Sequence, residues 1–378
     1  MTPKERVVAA LNHEEPDKVP IDLGNTISSI HIEAYKELLR HLSLKEERIH
    51  ILDGVARSTK PSEEILDRFR VDTRYIYPRL KSADDIPPPE TVDVWGIKRK
   101  FTGYYYDVTK DGSPLMNAKD VYEVNSYHWP NADDMNLDLE DMVSQAEELA
   151  RREYAIGFPY IVVGSFAHSL LVRGYQQFLA DTILRPKIAE AVIENISNVM
   201  VDLIREYVAP IGKYLDFVFF GDDLGTQTGP ILSPEAYRRL VKPRHKKIVD
   251  AFKSATNAKV IIHSDGAIAP LIPDLIDVGI SGINPVQVTA KGMDSRKLKT
   301  EFGDRLVFWG AIDTQRVLPF GKTADVREEV RQRISDLSRG GGYVLTSVHN
   351  IQPHTPPENI VAMFEEANRY GSQFYVKT

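Results

Sequence analysis

Short, almost wholly apolar runs recur along this chain, and each is followed by turn residues and then by a longer segment with helical periodicity. Parallel strands that are covered by helices on both faces have such continuous apolar runs, whereas half-exposed strands alternate apolar and polar residues. The pattern therefore predicts repeated β-α-β units. The predicted strands are residues 19–23, 160–164, 217–220, 259–263, 282–285, 306–310 and 343–348, and an eighth lies at 49–52 or 73–76.

Eight such units predict an α/β fold of the (β/α)8 or TIM-barrel type, and we expect a single barrel domain over residues 1–378. A doubly wound open sheet is the alternative, but no Gly-x-Gly-x-x-Gly turn follows the first predicted strand. Residues 87–132 interrupt the rhythm, because they are rich in aromatic residues and alternating patterns. They predict a small β-rich insert, which could cover the site as a lid or be only a surface excursion.

The composition excludes several classes of function. The chain has no cysteine, so disulfides, thiolate zinc ligands and cysteine nucleophiles are all excluded. Its net charge of −7 argues against a nucleic-acid partner, because phosphate binding needs a basic surface. No apolar stretch approaches the roughly 20 residues of a membrane span, and the N-terminus lacks an apolar signal core. We therefore expect a cytoplasmic protein without a membrane partner.

Two of the predicted strands end in side chains that can bind a metal. His263 and Asp265 stand in the motif His263-Ser264-Asp265-Gly266, and His349 ends the run at 343–348. In a TIM barrel the C-terminal ends of the strands face the active site, and residues i and i+2 of a strand point to the same side. Catalytic zinc commonly has three protein ligands and one open position. The sequence therefore predicts a zinc site of His263, Asp265 and His349, although each residue alone could be a hydrogen-bonded residue without a metal.

Further polar residues lie at the same predicted rim. Asp222 and Asp223 are the candidate catalytic carboxylates, although this pair could instead cap a helix or a turn. Residues at the other strand ends are candidates for substrate binding, with an ordinary loop or strand-end position as the alternative for each. The candidates for substrate binding are His168, Gln287, Trp309 and Asn350, and the remaining predicted rim residues are Asp22, Ser165, Asn284 and Asp313.

At these residues the chain resembles the uroporphyrinogen decarboxylase superfamily and, within it, the zinc-dependent, cobalamin-linked methyltransferases. The resemblance begins in residues 2–13 and is strongest between residues 221 and 360. It includes Gly303-Asp-Arg-Leu-Val-Phe-Trp-Gly-Ala-Ile-Asp and Gly340-Gly-Gly-Tyr-Val. These motifs are specific for the superfamily, which implies a TIM barrel, and less specific for the reaction.

The metal motifs depart from those of the thiol-specific methyltransferases, which have His-x-Cys-Gly and a later cysteine before a Thr-Pro-x-Glu-Asn segment. Here Asp265 stands where the first cysteine would be, and His349 stands where the second would be. Thiolates make a soft zinc ion suited to thiols, whereas imidazole and carboxylate make a harder, more Lewis-acidic ion. The departure favours a donor with an oxygen-linked methyl group, such as an ether whose oxygen leaves as phenolate or alkoxide.

The resemblance thus implies a zinc-dependent O-demethylase component. It would move a methyl group from a methoxylated small molecule to the cob(I)alamin of a corrinoid protein, which then carries methylcobalamin. True decarboxylases have a motif similar to Arg-Gln-Ala-Gly-Arg at their N-terminal strand. Residues 22–29 here contain no arginine, so a polycarboxylate substrate is disfavoured. The alternatives are a decarboxylase-like lyase or metal-assisted hydrolase with Asp222 or Asp223 as general base, and a non-catalytic small-molecule-binding barrel. Barrels of this superfamily are often dimeric, so a homodimer is also open.

Overall fold

A computed structural model of the chain describes residues 1–45, 48–79, 87–159 and 164–375. Its main sheet contains parallel strands that lie side by side in the order in which they occur in the chain, as β-α-β units require. The strands are β1 (Thr73–Tyr75), β2 (Ala155–Phe158), β3 (Phe217–Gly221), β4 (Lys259–His263), β5 (Gly282–Asn284), β6 (Val307–Ile312) and β7 (Tyr343–Ser347).

The predicted first strand, residues 19–23, fills the eighth position of the ring with only a few backbone hydrogen bonds. On the β7 side, Ile21 forms a parallel bridge with Leu345, and the Asp22 N–H donates to the Leu345 carbonyl at 2.9 Å. On the β1 side, the Asp72 N–H donates to the Ile21 carbonyl at 2.8 Å, and the Ile21 N–H donates to Asp72 Oδ2 at 2.9 Å. The segment therefore joins the two edge strands, and the TIM-barrel prediction is confirmed.

Most predicted strands lie within a few residues of the observed ones. The exception is the strand observed as β2. The predicted run at 160–164 falls outside the described residues except for Gly164, and the barrel strand is Ala155–Phe158. Its centre is Gly157, and a Cβ there would lie 2.2 Å from the Phe217 ring. Glycine weakens the sequence signal of a strand, although packing against Phe217 requires it here. Of the two candidate early strands, Thr73–Tyr75 belongs to the barrel and Ile51–Asp53 pairs in a small antiparallel sheet with Ile30–His31 and Ser58–Thr59.

Helices connect the strands and cover the outside of the barrel. Local signals explain several of their starts: the Ser233 hydroxyl accepts the Ala236 N–H at 3.2 Å, and Pro234 occupies the first turn. The helices are Pro3–Leu11, Ile32–His41, Glu63–Arg68, Val121–Asn125, Ala132–Met135, Leu139–Leu149, Ser165–Arg173, Tyr175–Leu184, Pro186–Leu203, Pro234–Leu240, Lys242–Ala255, Ile272–Val278, Ser295–Phe302, Val317–Phe320, Thr323–Leu337 and Pro357–Phe374. Across the described ranges, none of these helices is both long and apolar enough to cross a membrane.

The predicted insert, residues 87–132, contains a three-stranded antiparallel sheet. Its strands are Glu90–Val92, Lys98–Phe101 and Tyr106–Val108. Trp95 and Ile97, in and after the first turn, are buried and belong to the same hydrophobic cluster as the barrel helices. The insert is therefore packed onto the barrel rather than projecting from it. This packing is compatible with a single domain, and the single-domain organisation stays a prediction.

The inside of the barrel holds a buried carboxylate, Asp22, that accepts hydrogen bonds from four side chains. Thr73 Oγ1 donates at 2.6 Å, Tyr75 Oη at 2.8 Å, Trp309 Nε1 at 2.9 Å and Ser28 Oγ at 3.3 Å. The Trp309 ring packs against Phe217 with 4.7 Å between ring centroids and is fully buried. Trp309 was expected at the rim as a substrate-binding residue, and this position corrects that expectation. Its indole N–H is already occupied, and its ring fills the barrel.

We expect Trp309→Phe to destabilise the fold without removing the metal site. The change leaves buried Asp22 with one donor fewer and a smaller ring in the core, which together should lower the free energy of unfolding by about 2–4 kcal/mol. Urea denaturation measures this loss. Trp129→Phe is the matched control, because the Trp129 indole donates only to a backbone carbonyl in a half-buried position. Equal stability of the two variants would contradict the role given to Trp309.

Candidate metal centre

The three residues predicted as metal ligands meet at the C-terminal rim of the barrel. One ligand atom each from His263, Asp265 and His349 lies within 4.8 Å of the others. Asp265 Oδ2 is 3.8 Å from His263 Nε2 and 3.9 Å from His349 Nε2. Ligand atoms around a tetrahedral zinc ion are about 3.4 Å apart, since each lies about 2.0–2.1 Å from the metal. An inward movement of about 0.5 Å would therefore complete three sides of such a site.

The orientation of His263 is set by Asn284, at the end of the neighbouring strand. In the parallel register of β4 and β5, His263 is the partner of Asn284, and His263 Nδ1 lies 2.7 Å from Asn284 Oδ1. The amide Nδ2 donates to the Trp309 carbonyl at 3.3 Å, so the amide oxygen faces the imidazole. Because an amide oxygen only accepts, Nδ1 carries the proton and Nε2 keeps its lone pair for a metal. The sequence indicates Asn284 only as a rim residue, whereas its position opposite His263 in the strand register gives it this orienting role.

The segment after His263 is held by several backbone contacts. The Asp265 N–H donates to Asp223 Oδ1 at 3.0 Å, and the Gly266 N–H donates to Gln287 Oε1 at 2.6 Å. Gly266 has φ +92°, and a Cβ there would lie 2.5 Å from the backbone of Gly225. The last position of the His-x-Asp-Gly motif therefore needs glycine, because two loops cross there without room for a side chain.

Burial dominates the electrostatics of this cluster. It raises the pKa of Asp223, partly offset by attraction to His263, and it lowers the pKa of His349, partly offset by Asp265. The site remains accessible, because the side chains of Asp265 and His349 are 34% and 36% exposed. Two carboxylates beside two imidazoles favour a dication, and the nitrogen and oxygen donors suit zinc or another first-row divalent ion.

The structure brings Asp223 and Gln287 to this centre but holds Asp222 elsewhere. Asp222 is fully buried, and its oxygens accept the N–H groups of Phe166 at 3.0 Å and Ala167 at 2.6 Å. His245 Nε2 lies 2.8 Å from Asp222 Oδ2, in a fully buried pair. The expected catalytic role of Asp222 is therefore corrected: its lone pairs are occupied in capping the helix Ser165–Arg173, the alternative that the sequence left open.

Asn350 also has its polar groups engaged in structure. Its Oδ1 accepts the Ser29 N–H at 2.7 Å, and its Nδ2 donates to the Thr26 carbonyl at 2.9 Å. These bonds fasten the N-terminal loop to the loop after β7. The expectation that Asn350 binds substrate is corrected, because both ends of its amide serve this connection. Among the other rim residues, Asp313 accepts the Gln315 N–H at 2.7 Å in a turn, and Ser165 Oγ lies 3.4 Å from Asp222 Oδ2.

The tip of the insert contacts the loop that carries His349. The Tyr104 hydroxyl is hydrogen-bonded to His354 Nε2, and the Tyr105 hydroxyl donates to Gln352 Oε1. At the other end of the insert sheet, Trp95 packs against His168, with 4.1 Å between the ring centroids. The insert thus contacts elements from two different strand ends of the rim, which is the position expected of a covering segment.

The chain is similar in sequence to proteins of one known family. The family model described as Uroporphyrinogen decarboxylase (URO-D) matches residues 108–370. Curated relatives include the uroporphyrinogen decarboxylases of Dichelobacter nodosus, 28% identical over 154 residues, and of Koribacter versatilis, 26% identical over 144 residues. These alignments cover 39% and 38% of this chain. The chain spans about two fifths of the length of these relatives, 40% and 38%.

Among solved structures, a methyltransferase from Methanosarcina mazei superposes with a TM-score of 0.68 and 18% sequence identity. The superposition covers 98% of this chain and 99% of that one. At this identity the similarity supports a shared fold.

Replacing the proposed ligands should remove the metal while leaving the barrel folded. We expect His263→Ala, Asp265→Ala and His349→Ala to lose stoichiometric zinc, and Asn284→Ala to weaken zinc binding by about 10–100-fold, because His263 loses its orienting acceptor. Elemental analysis and titration with zinc or Co²⁺ measure this. His354→Ala is the matched control, since His354 lies in the same loop as His349 but outside the cluster. Retention of zinc by His349→Ala would show that another residue is the ligand.

His168 should make folding sensitive to acid. Burial, with a smaller contribution from the charge of Arg99, lowers the pKa of His168 to about 3. An unfolded histidine ionises near 6.5, so between about pH 6.5 and 3 only the unfolded chain takes up this proton, and stability falls as the pH falls. Compared with the wild type, His168→Phe should reduce the slope of unfolding free energy against pH by up to about 1.4 kcal/mol per pH unit in this window. If the wild type and His168→Phe have identical slopes in urea denaturation series across this pH range, His168 is not the group that makes folding sensitive to acid.

Proposed function

Because this chain belongs to the uroporphyrinogen decarboxylase family, we propose that it is a methyltransferase that transfers a methyl group from a methoxylated small molecule, aromatic or aliphatic, to cob(I)alamin. The cobalamin would be carried by a separate corrinoid protein. The observation that carries the proposal is the convergence of His263, Asp265 and His349 in a cluster without sulfur. Such donors suit an oxygen-linked methyl group better than a thiol-linked one.

Neighbouring residues hold the proposed metal ligands in place. Asn284 orients His263, and Asp223 accepts the backbone N–H of Asp265. A zinc ion bound here would supply a Lewis acid for the ether oxygen, which leaves as phenolate or alkoxide when its methyl group is taken. Asp223 and Gln287 lie next to the ligands, and their remaining polar atoms are the groups we assign to donor positioning.

A decarboxylase acting on a polycarboxylate is a weaker proposal for this site. Residues 22–29 contain no arginine, and Asp22 itself is turned into the barrel, where it accepts four hydrogen bonds. The centre instead presents Asp223 and Asp265, whose charges would repel a substrate with many carboxylates. The similarity to curated decarboxylases therefore supports the family of this chain, and it is weaker support for a decarboxylation reaction.

The corrinoid partner follows from the proposed chemistry. A corrin ring is too large to be enclosed within a packed barrel, so it would have to approach the rim where the ligands are partly exposed. The partner's docking surface and a homodimer both stay predictions.

The proposed reaction is tested by mixing the zinc-loaded protein with cob(I)alamin and a panel of methoxyarene, methylamine and methanethiol donors. We expect the absorbance change of cobalamin methylation with methoxyarenes. Asp265→Cys should keep zinc but lower this rate at least tenfold, because a thiolate makes the ion a weaker Lewis acid for oxygen. His354→Ala is the control for the loop. If every donor leaves cob(I)alamin unchanged, the methyltransferase proposal fails.

A further inference from the structure

A fully buried histidine, His245, lies outside the metal centre and has no part in the proposed reaction. It stands near the start of the helix Lys242–Ala255, and its ring meets the Phe220 ring edge to face in the core. Nε2 of His245 lies 2.8 Å from Asp222 Oδ2, and Nδ1 lies 3.0 Å from the Tyr237 hydroxyl oxygen. All three of these polar side chains are fully buried. Polar groups cost free energy in a core even when they are paired, so this row indicates a requirement for position.

The contacts of the Asp222 carboxylate determine where the His245 proton lies. The N–H groups of Phe166 and Ala167 donate to this carboxylate at 3.0 Å and 2.6 Å, which favours its ionised form. Because an ionised carboxylate only accepts, Nε2 of His245 carries the proton and donates to it. Nδ1 then keeps its lone pair and accepts the Tyr237 O–H. His245 therefore fixes Asp222 from a second helix, in addition to the helix that Asp222 caps.

Asp222 begins the β3 loop, residues 222–226, which lies against the β4 loop, residues 263–267, that carries two of the metal ligands. Hydrogen bonds join these two loops along their length. They run from the Asp222 N–H to the His263 carbonyl at 2.7 Å, from the Leu224 N–H to Ser264 Oγ at 3.0 Å, from the Asp265 N–H to Asp223 Oδ1 at 3.0 Å and from the Ala267 N–H to the Thr226 carbonyl at 2.8 Å. Where the loops cross, a Cβ on Gly266 would lie 2.5 Å from the Gly225 backbone. A displacement of the β3 loop is therefore passed to the β4 loop.

We propose that His245 is a positioning residue of the metal centre, which acts through Asp222 and the β3 loop to place Asp265. The inference rests on the metal ligands of the proposed function and not on its methyl donor or acceptor. Asp265 Oδ2 lies 3.8 Å and 3.9 Å from the two imidazole Nε2 atoms of the cluster. Ligand atoms around tetrahedral zinc are about 3.4 Å apart, so a shift of about 0.5 Å in the β4 loop decides whether Asp265 completes the set. His245 itself is not a ligand, because Asp222 and Tyr237 occupy both of its nitrogens.

The test combines the zinc dissociation constant with the visible spectrum of the Co²⁺-loaded protein, both measured without cobalamin. The intensity of the cobalt bands reports the number and arrangement of the ligands. We expect His245→Leu to weaken zinc binding by about tenfold or more and to change these bands, because Asp265 moves relative to the imidazoles. His245→Gln should stay within about threefold of the wild-type zinc affinity, since its amide N–H can replace Nε2 as the donor to Asp222. Rescue by glutamine distinguishes the loss of this hydrogen bond from a general loss of packing.

Tyr237→Phe is the matched control, because it removes the bond to Nδ1 of His245 and leaves the bond to Asp222. It should lower the melting temperature, since a buried acceptor loses its donor, and leave zinc affinity and the cobalt bands unchanged. If His245→Leu does not fold, Ser264→Ala takes its place, because it removes one of the bonds between the two loops. Ser264→Ala should also change the cobalt bands.

The possible outcomes separate this role from the proposed reaction. Wild-type zinc affinity and wild-type cobalt bands in His245→Leu, or in Ser264→Ala where that variant replaces it, would overturn the positioning role and leave the metal centre intact. A wild-type protein that binds neither zinc nor Co²⁺ would defeat the metal ligands and this role together. The expected changes in metal binding, in a protein that methylates no cobalamin, would support the positioning role and defeat only the reaction.

Discussion

Closure of the parallel sheet is the constraint on which the rest of this structure depends. An open parallel sheet would leave two edges, and here the segment around Ile21 supplies backbone groups to both β1 and β7. The same segment carries Asp22 into the barrel, where side chains from β1 and β6 donate to it. A buried carboxylate is tolerated there because its oxygens accept several hydrogen bonds. Closure in turn places the C-terminal ends of all strands on one rim, which is where the candidate metal ligands meet.

The parallel register then determines the chemistry of that rim. His263 ends β4 opposite Asn284 at the end of β5, so the imidazole receives its orienting partner from the neighbouring strand. His349 comes from the loop after β7, across the mouth of the barrel. Nitrogen and oxygen ligands at these positions, in a chain without cysteine, connect the geometry to oxygen-linked donors. The insert adds contacts at both sides of the mouth, through Trp95 to His168 and through Tyr104 to His354.

The fold and the metal cluster were largely predictable because they depend on local patterns. Apolar runs such as 259–263 are visible in one sequence, and a strand-end histidine followed by Asp265 suggests a ligand pair whatever its neighbours are. The substrate-side assignments were less predictable, because a polar residue at a strand end can point into the barrel, into a cap or into the mouth. Trp309 points into the barrel, Asp222 caps a helix and Asn350 fastens a loop. Only the hydrogen-bond partners in the structure reveal these three roles.

The amino-acid sequence by itself determined the β-α-β order, the absence of thiolate ligands and the three residues that form the cluster. The tertiary structure decided which strand closes the ring, where glycine replaces a strand former in β2, and which neighbours hold each ligand. It also decided that Arg99, an ordinary strand residue in the sequence, lies nearly buried with its Nε 3.5 Å from Asp93 Oδ2. The physical reason is that periodicity reports which face of an element is apolar, whereas hydrogen-bond partners and charge neighbours come from residues far apart in the chain.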